Sequence, residues 1–458
     1  MDNSSVIHTF LQAMSAEPSV FEASGFDATG AGSLPSAFAV TELAVAAVGS
    51  AGLAVAEYIG HRFGSRPSVT VDRRLASFWF GASLRPQGWS PPDVRDPVTG
   101  DYRSRDGWVR LHANMPHHRA AELRVLGVEA DHEAVARAVA SWDALELETA
   151  IVQAGGCAAM MRSQDEWAHH PQGQAVAAEP LFHYQEASAG PPGDLRGAPA
   201  RPLAGLKVLD LTRVLAGPVC TRFLAAYGAQ VLRVDPPFWV EPGLVPEVTL
   251  GKRCAQLDFR DLAQLEQFKA LLGGADILVH GYRADALERM GLGAEVRQLI
   301  RPGLVDVCLD AYGWTGPWNT RRGFDSLVQM SNGFAHAGMR HYGKDKPTPL
   351  PVQALDQASG YLMAAAVVRA LTGRLVTGLG STTRLSLART AVLLASRPAS
   401  RAMAALEPEI ADDCGPEIEL TSWGPAHRLR PPCDVQGAPM RWDYPANALG
   451  SSPAQWLA

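Results

Sequence analysis

Asp356 stands in Leu350-Pro-Val-Gln-Ala-Leu-Asp-Gln-Ala-Ser-Gly360, at the head of an Ala-rich helical run. A carboxylate is a poor nucleophile in water and a better one when it is desolvated and aimed, so this position could do covalent chemistry. Taken alone, an Asp before a helix is more often an N-cap that accepts backbone N–H bonds, worth roughly 1 kcal/mol and nothing catalytic. Ser359 and Gly360 follow about one helical turn later and could turn backbone donors toward a developing oxyanion. Arg213, Lys252, Arg253 and Arg289 are cations that could meet an anionic ligand, although singly each reads as a solvated surface charge. His336 and His341 are isolated. The six cysteines form no Cys-x-x-Cys pair and no short Cys/His cluster, so neither a disulfide framework nor a zinc site is expected.

The elements that must carry these residues come from composition and periodicity. A chain of 458 residues with 47% hydrophobic and 19% charged side chains is globular and long enough for two or three domains. A net charge of −6 gives no chain-wide basic field, which argues against nucleic acid as a partner. No signal peptide or membrane span is expected, and a reducing cytoplasm fits the cysteines. Residues 1–33 read as a loosely ordered leader, and Leu34 to Tyr58 as a long buried helix. Residues 102–112 read as a hairpin turning at Asp106-Gly107, with helices following to about Gln174. Residues 186–202, dense in Pro and Gly, form the clearest linker. Beyond it, apolar runs at Leu206–Leu211, Gln230–Val234, Ile277–His280 and Leu304–Leu309 alternate with helical text, which predicts parallel βαβ units. The fold class expected is α/β: a doubly wound parallel sheet, with a smaller α+β domain in residues 34–185. Arg213 to Pro218 stands where a Gly-x-Gly-x-x-Gly would follow the first strand, so dinucleotide chemistry loses support.

An internal repeat is also expected. Leu34-Pro35, an Ala/Val helix, Gly64-Ser65 and Val69 to Arg73 align without gaps on Leu350-Pro351, a similar helix, Gly380-Ser381 and Leu385 to Arg389. In that register Val40 faces Asp356, and only the later copy could be chemical. Two Ala-rich helices matching by composition is the alternative.

The segment Pro202-Leu-Ala-Gly-Leu-Lys-Val-Leu-Asp-Leu-Thr-Arg-Val-Leu-Ala-Gly-Pro218, with Leu224 to Pro237, resembles the opening of the family III (CaiB/BaiF-type) coenzyme A transferases. Gly251-Lys-Arg253 with Leu257-Asp258, Ala275 to Arg283 with Leu287 to Gly291, and Tyr312 to Pro317 with Gly323-Phe-Asp325 resemble further blocks in family order. These blocks span about residues 200–395. Residues 85–190 resemble the part that normally follows the active-site helix, so the order is rearranged: a partial second half stands ahead of a sheet-bearing first half.

The resemblance implies a Rossmann-like CoA-binding domain over 203–395 and a C-terminal extension over 396–458. It implies that Asp356 attacks an acyl-CoA thioester, that a mixed anhydride and an aspartyl-CoA thioester form, and that a small carboxylic acid then takes the CoA. It implies CoA contacts at Arg213, Val214 and Ala216, at Gly281 and Tyr282, and at Lys252, Arg253, Arg289 and Met290. It also implies a homodimer and no metal. The family's glycine-rich small-domain loop has no evident counterpart. An α-methylacyl-CoA racemase is a second reading, weakened because Phe324 stands where its histidine would fall. A catalytically silent CoA-binding subunit is a third.

Overall fold

The computed structural model describes residues 3–14, 25–92, 96–190, 196–283, 285–397 and 404–457. Its largest sheet has seven strands, in the spatial order Lys252–Gln256, Gln230–Asp235, Lys207–Leu211, Ile277–His280, Val305–Asp310, Leu379–Ser386 and His183–Ala189. The first six are parallel and the last is antiparallel. Chain order runs outward in both directions from Lys207–Leu211, so the strand order reverses beside it. Val208, Leu209, Val231, Leu232, Ile277, Leu278, Val305 and Val307 are all buried, as expected for parallel strands covered on both faces.

The four apolar runs fall on strands of this sheet, but three strands, Lys252–Gln256, Leu379–Ser386 and His183–Ala189, escaped the apolar reading. Lys252–Gln256 opens with two cations, and both are buried because other groups pair with them. His183–Ala189 is a polar edge strand whose last residues had been given to the linker. Residues 191–195 of that linker lie outside the described residues. In the expected leader, Asn3–Met14 is a helix that buries Ile7 and Phe10, and Phe26–Thr29 pairs in parallel with Val69–Asp72. The hairpin forms as expected, with Gly100–Arg103 against Trp108–Leu111, and Ala158–Met160 adds a third strand. The C-terminal tail returns to the N-terminal half. Cys433–Val435 pairs with Val69–Asp72, and Gly424–Leu429 pairs with Leu84–Pro86.

The helix Val40–Phe63 is long and apolar enough to cross a membrane, but 89% of its apolar window is buried inside the protein. It packs along the helix Ala354–Thr377, and both belong to the main hydrophobic core. Both helices have 24 residues. Each is entered through a residue in an inverse γ-turn conformation, Ala39 (φ −77°, ψ 59°) and Gln353 (φ −75°, ψ 65°). The same closing bond appears in both, from Val40 N–H to Phe38 O and from Ala354 N–H to Val352 O, each 2.8 Å. Each ends on a left-handed glycine, Gly64 or Gly378, where a Cβ would be strained. A strand follows, and then a helix N-capped by Asp72 or Ser386.

The repeat is therefore present, with an offset of 314 rather than 316. The expected alignment matched Gly64 to Gly380, although the helix ends two residues earlier at Gly378. In the structural register the counterpart of Asp356 is Glu42, not Val40. Glu42 is 4% exposed and forms a buried ion pair with Arg73, whose own counterpart is Leu387. Breaking a buried pair strands a charge, so Glu42→Leu is expected to cost roughly 3–5 kcal/mol in urea unfolding, and Glu42→Leu with Arg73→Leu to recover most of that loss. Equal losses in the single and double variants would show that the pair does not hold the helix.

Candidate active site

A cleft of about 370 Å3 opens at the carboxyl ends of Lys207–Leu211, Ile277–His280 and Val305–Asp310. This is where the strand order reverses, the usual ligand position in an open α/β sheet. Of the residues expected in the site, Arg213, Val214, Ala216, Gly281, Tyr282 and Asp356 line it. Lys252, Arg253, Arg289 and Met290 do not.

Asp356 is the third residue of the helix Ala354–Thr377, not its cap. The cap comes from Asp325, whose Oδ2 accepts the N–H groups of Leu355 (2.9 Å) and Asp356 (3.0 Å). Gln329 holds the other Asp325 oxygen and accepts the Leu350 N–H at 2.7 Å. The Asp356 carboxyl is thus free of capping duty and faces the cleft at 8% exposure. Burial first, and the neighbouring Asp325 second, push its proton affinity well above the usual carboxylate range. Asp325 is raised too, by burial, against the N–H bonds it accepts.

The turn after Lys207–Leu211 is strained. Among the described residues Val214 is the only one other than glycine with positive φ, at 64°, a conformation that a β-branched side chain resists. Its N–H donates to Glu241 Oε1 at 2.8 Å, and Glu241 pairs with the buried Arg233. Arg213 lies between the rings of Trp239 and Tyr282 and donates to the Tyr282 hydroxyl at 2.8 Å. The helix Ala216–Ala226 starts at the cleft, so its first N–H groups lack intrahelical partners. It packs so closely on the helix of Asp356 that a Cβ on Gly360 would lie 2.4 Å from Ala216 O. Gly360 therefore serves close approach. The Ser359 hydroxyl pairs with Thr390 at 2.8 Å, and neither Ser359 nor Gly360 lines the cleft, so the expected donors are not there.

The other assigned cations are committed elsewhere. Lys252 is fully buried, with Nζ 2.9 Å from Asp210 and 3.0 Å from Pro218 O, a strut between two strands and the helix above them. Arg253 binds the C-terminal carbonyls of Gln455 (2.7 Å) and Pro453 (3.3 Å). Arg289 is exposed and pairs with Asp285 at 2.6 Å, while Met290 packs on the core beneath the sheet. Sequence reasoning missed Arg283 and Arg322, which line the cleft together. Burial, then Arg322, lowers the proton affinity of Arg283, against the partial counterweight of Asp285. It also missed Met115, His117 and His118, which the start of the helix Pro116–Leu126 brings to the cleft from a distant part of the chain, with no local signal to announce them. His336 and His341 border a separate open depression.

Residues 203–419 match the model of the family described as CoA-transferase family III. An acyl-CoA transferase of Fusarium pseudograminearum is 32% identical over 217 residues, covering 42% of this chain and 46% of that protein. The succinyl-CoA:glutarate CoA-transferase of Homo sapiens is 32% identical over 193 residues, covering 39% of this chain and 44% of that one. A crystal structure of a Mycobacterium tuberculosis protein named as a probable fatty acyl-CoA transferase aligns at 30% identity with a TM-score of 0.39, covering 43% of this chain and 58% of that one. The chain spans about half the length of the curated relatives it matches. Over residues 203–419, the segment that carries Asp356 and the strand ends forming the cleft, this chain is similar to CoA-transferase family III.

Proposed function

We propose that this protein transfers CoA from an acyl-CoA to a small carboxylic acid, with Asp356 as the nucleophile. The observation that carries this reading is a desolvated carboxyl, relieved of capping by Asp325, that lines the cleft at the strand reversal. The strand order, running outward from Lys207–Leu211, supports a Rossmann-like CoA-binding domain.

An Asp356 oxygen attacks the thioester carbonyl, the C–S bond breaks, and CoA leaves as thiolate from a mixed anhydride. The thiolate then attacks the Asp356 carbonyl of that anhydride, releasing the first acid and leaving an aspartyl-CoA thioester. The acceptor carboxylate repeats the sequence in reverse, and Asp356 is regenerated. Arg213, Val214 and Ala216, with Gly281 and Tyr282, hold the CoA arm through side-chain stacking and the helix start. Arg283 and Arg322 supply the positive charge for its phosphates, in place of Lys252, Arg253 and Arg289.

The test is CoA transfer from a panel of acyl-CoAs to succinate, glutarate and malate. Asp356→Ala should lower turnover by at least about a thousandfold while CoA still binds, and turnover close to wild type in that variant would sink the reading. The folded-state proton affinity of Asp356 is raised, so the attacking carboxylate appears only as pH rises. The rate of the first half-reaction is therefore expected to climb with pH above the ordinary carboxylate range, and Asp325→Asn, by removing the neighbouring charge, should move that limb to lower pH. A limb that stays in place in Asp325→Asn would show that the two carboxyls do not interact.

A further inference from the structure

His118 is 4% exposed, and neither of its ring nitrogens has a hydrogen-bond partner among the described residues. A buried polar atom left unpaired costs about 1–3 kcal/mol, so such a group calls for a partner that arrives later. The side chain belongs to the helix Pro116–Leu126, which starts at the cleft with Pro116 in its first turn. Its surroundings tie it to the nucleophile. The His118 ring meets Phe324 edge-on, with centroids 6.0 Å apart, and His112 stacks on the same Phe324 at 3.8 Å. The next residue after Phe324 is Asp325, whose carboxylate holds the N–H of Asp356.

We propose that His118 donates a hydrogen bond to the carbonyl oxygen of the thioester that Asp356 attacks. This rests on the CoA-transfer reading. When Asp356 adds to the carbonyl carbon, the π pair moves to the carbonyl oxygen, where a donor N–H stabilises the growing charge. When the C–S bond breaks, the pair returns and the hydrogen bond relaxes. No proton is transferred, so a ring that stays neutral suits the role. Burial, then His117 and Arg322, lowers the His118 proton affinity to about 3. A neutral imidazole carries one N–H donor, enough for the role. Ser359 and Gly360 do not reach the cleft, so this donor fills a need that the helix of Asp356 leaves open.

The test uses acetyl-CoA and succinyl-CoA as donors and follows release of the first acid, acetate or succinate, in a single turnover of wild type, His118→Leu, His118→Gln and His118→Ala. Losing one oxyanion donor should slow the Leu and Ala variants by roughly 100–1,000-fold, with the Gln variant, which keeps an N–H, at least about tenfold faster than Leu. Added imidazole should restore part of the rate in His118→Ala, which a purely structural role would not allow. CoA affinity by calorimetry should be unchanged in every variant. Wild-type rates in the Leu variant, a loss of CoA affinity equal to the loss of rate, or no gain from Gln and imidazole would each overturn the proposal. If wild type releases no acid from either donor, the reading of Asp356 itself fails and takes His118 with it. The two failures differ in where they appear, in wild type or only in the variants.

Discussion

The carboxylate of Asp325 capping the helix Ala354–Thr377 from outside is the interaction on which the site depends. A helix beginning inside a protein leaves N–H groups that must find acceptors, and the acidic residue in its own first turn could have folded back to supply one. Asp325 takes that duty, so the Asp356 carboxyl stays in the cleft. The same placement sets two buried carboxyls side by side: burial raises the proton affinity of both, and the charge of Asp325 adds to the rise at Asp356. One contact thus fixes the position of Asp356 and tunes its charge.

The rest of the molecule can be understood as holding that helix still. On one side it meets the helix Ala216–Ala226 at Gly360, close enough that no Cβ fits. On the other it lies along Val40–Phe63, its structural repeat. The two copies share their backbone path from inverse γ-turn to capping residue, but they use their carboxyls differently. Asp356 faces a cleft, whereas Glu42 is locked to Arg73 in the core. The tail returns to complete the sheet around Val69–Asp72. The earlier half gives structure to the later half and delivers the Met115–His118 segment to its cleft.

Much of this was legible in the sequence, for reasons that can be named. Strands such as Ile277–His280 and Val305–Asp310 stood out because burial on both faces leaves nearly unbroken apolar text. Arg213 and Tyr282 fall in the cleft because the resemblance runs through contiguous blocks whose ends meet at one sheet edge. Lys252 and Arg253 misled because a charged residue in a matching block reads as a surface cation, while these two are consumed by Asp210, Pro218 O and the C-terminal carbonyls. The repeat was found two residues out of register because Gly378 and Gly380 offer the same letter, and only backbone conformation distinguishes the helix cap. Asp325 and His118 could not be assigned roles, since neither local pattern nor spacing reveals which side chain will meet a helix start or a cleft formed by distant segments.

The most direct test of the account is peptide mass spectrometry of the protein after incubation with acyl-CoA donors and trapping with hydroxylamine. The aspartyl route predicts a hydroxamate on the peptide containing Asp356 and none on the peptide containing Glu42. CoA transfer proceeding with no modification of Asp356, or with the hydroxamate on another residue, would contradict it.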